Sequence, residues 1–518
     1  MRFGALKNKT GEIQIIMEKS SKNRATFQSR LGFILVSAGC AIGLGNVWKF
    51  PYVCGQNGGG AFLILYLICL VLLGLPILIC EFAIGRGSKR SLSQAFNKLE
   101  KPGSRFHMTK YTSIAGNYLL MMFYTMVTGW MLYYAFKYIT GSIDGSSTQA
   151  TAEAFANMQQ SPWLMLVFAA AVIALCIGVC ALGLQNGIEK VTKVMMILLM
   201  ALMLVLAVNS IRLKGAGEGL KFLLVPDFDK LFEKGFTSVL FAAMTQAFFT
   251  LSIGMGTMEI FGSYLKKDRT LIGESVSVIV LDTAVAIVAG LIIIPACFAY
   301  GIEPDSGPSL LFITLPNVFH NMANSRIWGA GFFIFMSFAA LSTVIAVFEN
   351  IITMSVELWN WSRKKSLLMN LVLIFVLTIP AVFGFSSLSG IHPLGGGTTI
   401  MDFEDFLVSS NILPLGSLVC VLFCVKKNGW GWENFIAEAN MGEGRHIPNS
   451  IRTYMTYAVP ALIAFIYLKG YYDTFSDRSL PVLCFWMAVA VVLLTLVLLA
   501  AFTTSRAMHR KYKSTSSN

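Results

Sequence analysis

Charged side chains are scarce in this sequence: Asp, Glu, Lys and Arg together make up 13% of its 518 residues, whereas hydrophobic residues make up 55%. Soluble globular domains carry about a quarter charged residues, so this composition excludes that class. Uninterrupted apolar runs of about 20 residues, the length that crosses the hydrocarbon core of a bilayer, recur along nearly the whole chain. The sequence therefore predicts an all-α integral membrane protein.

Histidine is also rare, and its five copies fall in predicted loops or tails without the spacing of a metal site. A membrane enzyme needs nucleophile, base or metal groups at membrane depth, so this class is disfavoured. The ten cysteines lie in or beside apolar segments, where a thiol behaves as a small buried hydrophobic group. No disulfide framework is indicated.

The formal net charge is +13, but a nucleic-acid-binding surface would gather basic residues on one folded face. Lys and Arg instead crowd the N-terminal segment, the loop after the second span and the C-terminal tail, while the connections 141–161 and 301–325 contain none. Because positive loops stay on the cytoplasmic side, both termini are predicted to be cytoplasmic. No nucleic-acid partner is expected.

Hydropathy predicts about 12 transmembrane helices. They lie near 31–53, 60–84, 108–140, 162–181, 187–211, 236–265, 270–300, 326–359, 366–385, 399–424, 453–470 and 480–504. The connection 301–325 contains the apolar stretch 310–316, which is too short to span the bilayer, and it is predicted to form a structured outer lid.

Two spans contain clustered glycines at mid-membrane depth: Gly39, Gly43 and Gly45 in the first, and Gly254 and Gly256 in the sixth. Glycine lowers the cost of leaving the helix, and backbone groups freed there need protein, water or ions because lipid cannot bond them. If the first ten spans form two five-helix repeats, these breaks occupy matched positions, which is the sequence signature of a transporter's central site. The alternative reading is close helix packing at small residues.

Several motifs carry a resemblance to a known family. They are 30–33, 39–46, 48–52 and 57–62 around the first span, 248–252 in the sixth, 339–343 in the eighth, and the 310–316 lid. The chain resembles the neurotransmitter:sodium symporter family in its bacterial leucine-transporter-like branch. The resemblance implies an inverted five-plus-five repeat with unwound helices 1 and 6, alternating access, and two sodium ions beside the substrate.

The same resemblance implies four segments: a cytoplasmic N-terminal segment with inner-gate residues (1–30), a first repeat (31–211), a second repeat (212–424), and two extra spans with a basic tail (425–518).

The resemblance also implies the sodium ligands. For the first ion these are the Ala41 carbonyl and the side chains of Asn46, Thr250 and Asp282; for the second, the carbonyls of Gly39, Ile42 and Ala339 and the hydroxyls of Ser342 and Thr343. Oxygen ligands of this kind suit a hard cation.

Asp282 departs from the Asn that is common in the family, and Ala286 stands where chloride-dependent members supply a hydroxyl. A carboxylate inside the membrane is costly and is by default a functional candidate. Here it could supply the negative charge that chloride supplies in other members, so chloride-independent transport is expected. The alternative is a structural Asp paired with a nearby donor.

Gly43 stands where monoamine-carrying members have an Asp, which leaves space for a substrate that brings its own carboxylate. This favours a neutral hydrophobic amino acid, aliphatic or aromatic, and leaves leucine, methionine, tyrosine and tryptophan unranked. The implied substrate residues are Cys40, Ala41, Gly43, Leu44, Gly45, Leu120, Tyr124, Phe249, Thr250, Ser252, Met255, Thr343 and Val347.

Gate residues follow from the same resemblance. The outer gate is predicted to be Lys49, Asp405 and Phe249; the inner gate is predicted to be Arg24, Phe27, Tyr264 and Glu357. Glu81 is predicted to brace the broken helices by accepting backbone N–H bonds.

Two other function classes stay open at this point: a non-transporting amino acid sensor or scaffold on the same fold, and an ion-conducting channel. A channel would favour a continuous polar stripe or rings of charge, which the sequence does not suggest. The expected location is the inner, or plasma, membrane of a bacterium, and the sequence leaves the oligomeric state undetermined.

Overall fold

A computed structural model describes residues 25–142, 148–233, 235–301, 310–320 and 324–503. Within these ranges ten helices are long and apolar enough to cross a membrane, and a bent helix pair provides an eleventh span. We label the bent pair α1 (Arg30–Ala41) and α2 (Gly45–Gln56). The spans that follow are α3 (Gly60–Ser88), α4 (Phe106–Thr140), α5 (Pro162–Ala181) and α6 (Leu184–Ile211).

The second half of the chain begins with two short helices, α7 (Phe236–Thr250) and α8 (Thr257–Ser263). The remaining spans are α9 (Leu271–Ala299), α10 (Ser325–Trp359), α11 (Arg363–Phe383), α12 (Ile400–Val425), α13 (Ile451–Phe475) and α14 (Leu480–Phe502). The predicted total of twelve is reached only if α7 and α8 are counted as one crossing. All the predicted spans correspond to these helices, with ends that differ by at most a few residues.

Burial separates the central helices from those that face lipid. In the most apolar part of α10, 83% of the residues are buried, compared with 6% in α14. α10 packs along α4 and also contacts α1 and α6. The exposed apolar side chains of α14, such as Val492 and Phe502, suit a lipid surround. The burial of α10 and its packing along α4 place these two helices at the centre of the bundle.

Both predicted helix breaks are present. α1 and α2 meet at an angle of 57° across residues 42–44, and residues 251–256 separate α7 from α8. In the second break Ser252, Gly254 and Gly256 have φ angles of 50°, 96° and 80°. This left-handed backbone is inexpensive for glycine, which explains why the glycine cluster ends the helix here.

Several short helices join the spans: Leu92–Leu99, Thr148–Gln159, Ala216–Leu224, Phe228–Glu233, Leu315–His320 and Trp432–Ala439. Helix Thr148–Gln159 lies in the connection 141–161, whose polar composition gave no helix prediction. Its Phe155 ring stacks 5.0 Å from the ring of Phe312, and Phe312 also contacts Trp130 of α4 at 5.6 Å. The 310–316 stretch is therefore structured, as predicted, and it is packed onto the bundle by aromatic contacts.

Candidate transport site

The two breaks leave backbone N–H groups without partners in the helix, and side chains from other spans accept hydrogen bonds from them. The N–H of Leu44 donates to the Tyr124 hydroxyl at 3.0 Å, and the N–H of Gly254 donates to the carboxylate of Glu81. The bracing role predicted for Glu81 is thus confirmed. Each broken helix is held by a side chain from a different span, α4 for the first and α3 for the second.

An acid, an amide and a hydroxyl meet beside the breaks. The Asn46 amide donates to Asp282 Oδ1 at 2.8 Å and to the Asp282 carbonyl at 3.1 Å, while the Thr250 hydroxyl donates to Asp282 Oδ2 at 3.0 Å. All three side chains are fully buried, and they come from α2, α7 and α9. The structure therefore brings together the three side chains predicted for the first sodium ion, with Ala41 at the end of α1 in the cavity described below.

The residues predicted for the second sodium ion also converge. The Ser342 hydroxyl donates to the carbonyls of Gly39 at 2.7 Å and Ala339 at 2.9 Å. The Thr343 hydroxyl lies 3.4 Å from the Ile42 carbonyl and 3.2 Å from the Cys40 carbonyl. Carbonyl oxygens at the end of α1 and hydroxyl oxygens of α10 are thus within hydrogen-bonding distance of one another, and such oxygens are suitable ligands for a hard cation.

A cavity lies beside the two helix breaks. Nine of the predicted substrate residues line it: Ala41, Gly43, Gly45, Leu120, Tyr124, Phe249, Ser252, Met255 and Thr343. The other four predicted residues, Cys40, Leu44, Thr250 and Val347, are outside this lining. Cys40 contributes its carbonyl, which accepts from Ser252 and Thr343, and Val347 is fully buried in the core.

Two residues that the sequence analysis missed, Val408 and Leu413, complete the cavity wall. Val408 is the first residue of the π-helical turn Val408–Ile412 inside α12, and Leu413 follows the turn directly. Apolar residues in a long apolar span carry no signal that separates a pocket wall from ordinary packing. A π-turn often marks a functional site, but its register shift cannot be read from hydrophobicity.

A second, larger cavity of about 230 Å³ lies on the predicted outer side, and Phe249 and Tyr124 belong to the linings of both cavities. Lys49, Asp402 and Asp405 line this outer cavity. The Lys49 ammonium lies 3.7 Å from the centre of the Phe249 ring, a cation–π contact. Lys49 therefore covers the aromatic side chain that separates the two cavities.

Lys49 and Asp405, the predicted outer ion pair, both lie in the described part of the chain and form no ion pair in this conformation. Asp405 instead accepts from the Ser409 hydroxyl at 2.7 Å, one helical turn further along α12. The Ser409 bond satisfies the carboxylate locally, and the Phe249 ring attracts the ammonium, which explains the separation.

On the predicted inner side, the Phe27 ring packs 6.0 Å from the ring of Tyr264. The Tyr264 hydroxyl donates to Glu349 at 2.9 Å, and Glu349 is paired with Arg363 at 2.6 Å. Glu357 accepts from the backbone N–H and hydroxyl of Ser91 at 3.0 and 2.7 Å.

Tyr264 thus bonds Glu349, a contact that the sequence analysis did not name, and the inner gate of Arg24, Phe27, Tyr264 and Glu357 stays a prediction. Arg363 at the start of α11, the cation paired with Glu349, was missed. Charges in loops were used in the sequence only to predict which side of the membrane a loop lies on. Arg24 lies outside the described residues.

The helix arrangement and the buried polar clusters define a polytopic membrane transporter with two broken helices. A sequence model of the sodium:neurotransmitter symporter family matches residues 24–161 and 153–511, and the chain belongs to this family. It is therefore a multi-pass membrane protein of a sodium-dependent symporter family.

Two comparisons place the chain near bacterial members. It is 38% identical over 404 residues to YhdH of Bacillus subtilis, described as an uncharacterized sodium-dependent transporter, covering 78% of this chain and 88% of the relative. The crystal structure of MhsT in complex with L-phenylalanine matches with a TM-score of 0.78 and 38% identity, covering 86% of this chain and all of that one. More distantly, the human sodium- and chloride-dependent GABA transporter 2 is 25% identical over 468 residues, covering 80% of this chain and 75% of that transporter.

Proposed function

We propose that the protein is a secondary active transporter that couples the inward sodium gradient to uptake of a neutral hydrophobic amino acid, aliphatic or aromatic, by alternating access. One observation carries this proposal: Asn46, Thr250 and Asp282 meet beside two broken helices, and neighbouring residues of those breaks, Gly43 and Ser252 among them, line a cavity. Freed backbone groups together with a buried acid suit a zwitterion and a cation.

Two sodium ions are proposed to travel with the substrate. The first would bind the oxygens of Asn46, Thr250 and Asp282 with the Ala41 carbonyl. The Thr250 hydroxyl oxygen lies 3.0 Å from Asp282 Oδ2, and the Asn46 side chain reaches the same carboxylate through its amide nitrogen at 2.8 Å. An ion would replace these bonds, with the Asn46 amide turned so that its oxygen faces the ion. The second ion would bind the Ser342 and Thr343 hydroxyls with the carbonyls of Gly39, Ile42 and Ala339.

The substrate carboxylate is proposed to meet the N–H groups near Leu44 and Gly45 and the Tyr124 hydroxyl, which already bonds the Leu44 N–H. Gly43 supports this placement because a Cβ there would lie 2.4 Å from that hydroxyl and 2.6 Å from Thr343 Oγ1. An aspartate at this position, as a bound amine would need, does not fit. The apolar wall of Leu120, Met255 and Val408 supports a hydrophobic side chain, and the similar MhsT was crystallised with L-phenylalanine.

Transport is proposed to be independent of chloride. The Asp282 carboxylate supplies a fixed negative charge beside the first ion. Ala286, fully buried one turn further along α9, has no hydroxyl to bind an anion. The negative charge of chloride would therefore be unfavourable next to Asp282.

Opposite sides of the membrane are assigned by charge. We propose that both termini are cytoplasmic and that the segments 1–30, 31–211, 212–424 and 425–518 form the inner-gate region, the two repeats and the C-terminal spans. Lys49, Asp405 and Phe249 would then close the outer path, and Phe27, Tyr264 and Glu357, with Arg24, the inner one. A bacterial cell membrane is the proposed location.

Uptake by the purified full-length chain in proteoliposomes tests the proposal. Labelled leucine or phenylalanine should accumulate only with an inward sodium gradient, all twenty amino acids serve as competitors, and gluconate replacing chloride should leave the rate unchanged. Sodium current without any amino acid would indicate a channel instead. Binding without accumulation would indicate a sensor.

A further inference from the structure

Three side chains converge on one backbone carbonyl in the second helix break. The carbonyl of Met255 accepts from the Ser113 hydroxyl at 2.7 Å, the Asn117 amide at 3.0 Å and the Asn350 amide at 3.5 Å. The Asn350 amide also donates to the Asn117 amide oxygen at 3.1 Å. The cluster thus ties α4 and α10 to the segment 251–256 at a single atom.

Local geometry explains why this carbonyl needs side-chain donors. Met255 lies between Gly254 and Gly256, whose positive φ angles of 96° and 80° interrupt the helix. A carbonyl that is freed inside a membrane protein has to be bonded by the protein, since lipid offers no donor. Ser113, Asn117 and Asn350 are each at most 2% exposed, so water does not compete for these bonds.

The residue before Met255, Gly254, is held as well. The N–H of Gly254 donates to the Glu81 carboxylate, and a Cβ on Gly254 would lie 2.1 Å from the Leu413 carbonyl oxygen. Close backbone packing and bonds to both the N–H and the C=O leave this segment little freedom. The orientation of Met255 is therefore fixed by its neighbours.

The Met255 side chain forms part of the cavity wall, and Leu120 forms another part. Leu120 lies three residues after Asn117 on α4, a spacing that places both on one helix face. The helix that bonds the Met255 carbonyl therefore also supplies the adjacent apolar wall. The polar cluster sets the distance between two wall residues.

We propose that Ser113, Asn117 and Asn350 are positioning residues that set the size selectivity of the amino acid cavity through the Met255 carbonyl. This inference rests on the proposed function, because it assigns a determinant of substrate size at the same site. Loss of one donor lets residues 254–256 shift, so the wall adapts to both small and large side chains.

The test uses the full-length chain in proteoliposomes and measures the inhibition constants of L-alanine, L-leucine and L-phenylalanine against labelled uptake. In Ser113→Ala and Asn350→Leu, the ratio of the alanine and phenylalanine constants should move at least about five-fold toward one, the size of one lost buried hydrogen bond. Half-saturation by sodium should change less than about two-fold, since the cluster bonds none of the proposed ion ligands. Ser113→Thr keeps the hydroxyl and should restore the ratio.

Asn370→Leu is the matched control. Asn370 is a fully buried asparagine on α11. Its amide donates to Ser366 at 2.8 Å and Ser355 at 3.3 Å and its oxygen accepts from Tyr118, so none of these hydrogen bonds reaches Met255. An unchanged ratio in both Ser113→Ala and Asn350→Leu, or an equal change in Asn370→Leu, overturns the inference. Should Asn350→Leu fail to fold, Ser113→Ala decides. Should the wild-type chain bind none of the three amino acids, the proposed function itself fails, a result distinct from an unaltered ratio.

Discussion

Replacing Asp282 with Asn removes one negative charge from the cluster that joins α2, α7 and α9 while nearly preserving the size of the side chain. The Asp282 oxygens accept from Asn46 and Thr250 at 2.8 and 3.0 Å, and both donors also carry an oxygen that can bind a cation. The variant therefore removes the negative charge and replaces one of the two accepting oxygens with an NH2 group.

The size of the effect follows from the geometry. A sodium ion about 4 Å from the centre of the carboxylate charge gains about 4 kcal/mol at an effective dielectric constant of about 20. The cost of burying both charges offsets part of this gain. We expect a net loss of about 1.5 to 3 kcal/mol, typical of a hydrogen bond to a charged group, and hence roughly 10- to 100-fold weaker sodium activation.

The assay is the sodium concentration that gives half-maximal amino acid uptake in proteoliposomes. Glu404→Gln is the control, because Glu404 is also a nearly fully buried carboxylic acid, on α12 and outside the cluster. If Asp282→Asn keeps its half-saturation within about two-fold of the wild type, the first-ion assignment is refuted. If Glu404→Gln shifts the half-saturating sodium concentration by the same factor, the effect comes from the loss of any buried acid and not from the first ion site.

Three further predictions concern other parts of the site. Gly43→Ala should raise the apparent KM for the amino acid at least about ten-fold, because its Cβ would crowd Tyr124 and Thr343; Gly178→Ala, where nothing lies within 4 Å of a Cβ, should leave KM unchanged. Ser342→Ala should lower the Hill coefficient for sodium toward one while substrate binding at saturating sodium persists; a coefficient near two would contradict the second-ion assignment. Arg363→Leu leaves the buried Glu349 without its cation and should destabilise the detergent-solubilised protein by about 3 to 5 kcal/mol; the double change with Glu349→Leu should recover much of the lost thermal stability.

The sequence predicted the span positions and both helix breaks because long apolar runs and glycine clusters leave local signals. The role of Glu81 came from the family resemblance, and the bond from the Gly254 N–H bears it out. The helix Thr148–Gln159 was missed because its polar composition carries no membrane signal, and it folds where Phe155 can stack on Phe312. Tertiary contact, rather than local propensity, determines that element.

In the candidate site, too, some residues were predicted from the sequence and others were missed. Residues near the glycine clusters were predictable, whereas Val408 and Leu413 depend on the register of the π-turn in α12. The Arg363 partner of Glu349 was missed for a different reason. The two residues lie on different helices, α10 and α11, and a charge at a span end is read from sequence as a topology signal. Both the cavity wall at Val408 and Leu413 and the Arg363–Glu349 pair depend on contacts between helices, which the sequence does not show directly.

Coupling between ion and substrate follows from residues shared by both sites in the proposed scheme. The Thr343 hydroxyl faces the carbonyls of Cys40 and Ile42 and also lines the cavity. Phe249 lines the cavity, and the next residue, Thr250, bonds Asp282. An ion that fixes these oxygens therefore also orders the cavity wall. Substrate binding then no longer includes the entropy loss of ordering that wall. By reciprocity the amino acid must tighten sodium binding by the same factor, which gives symport a structural basis in the broken helices themselves.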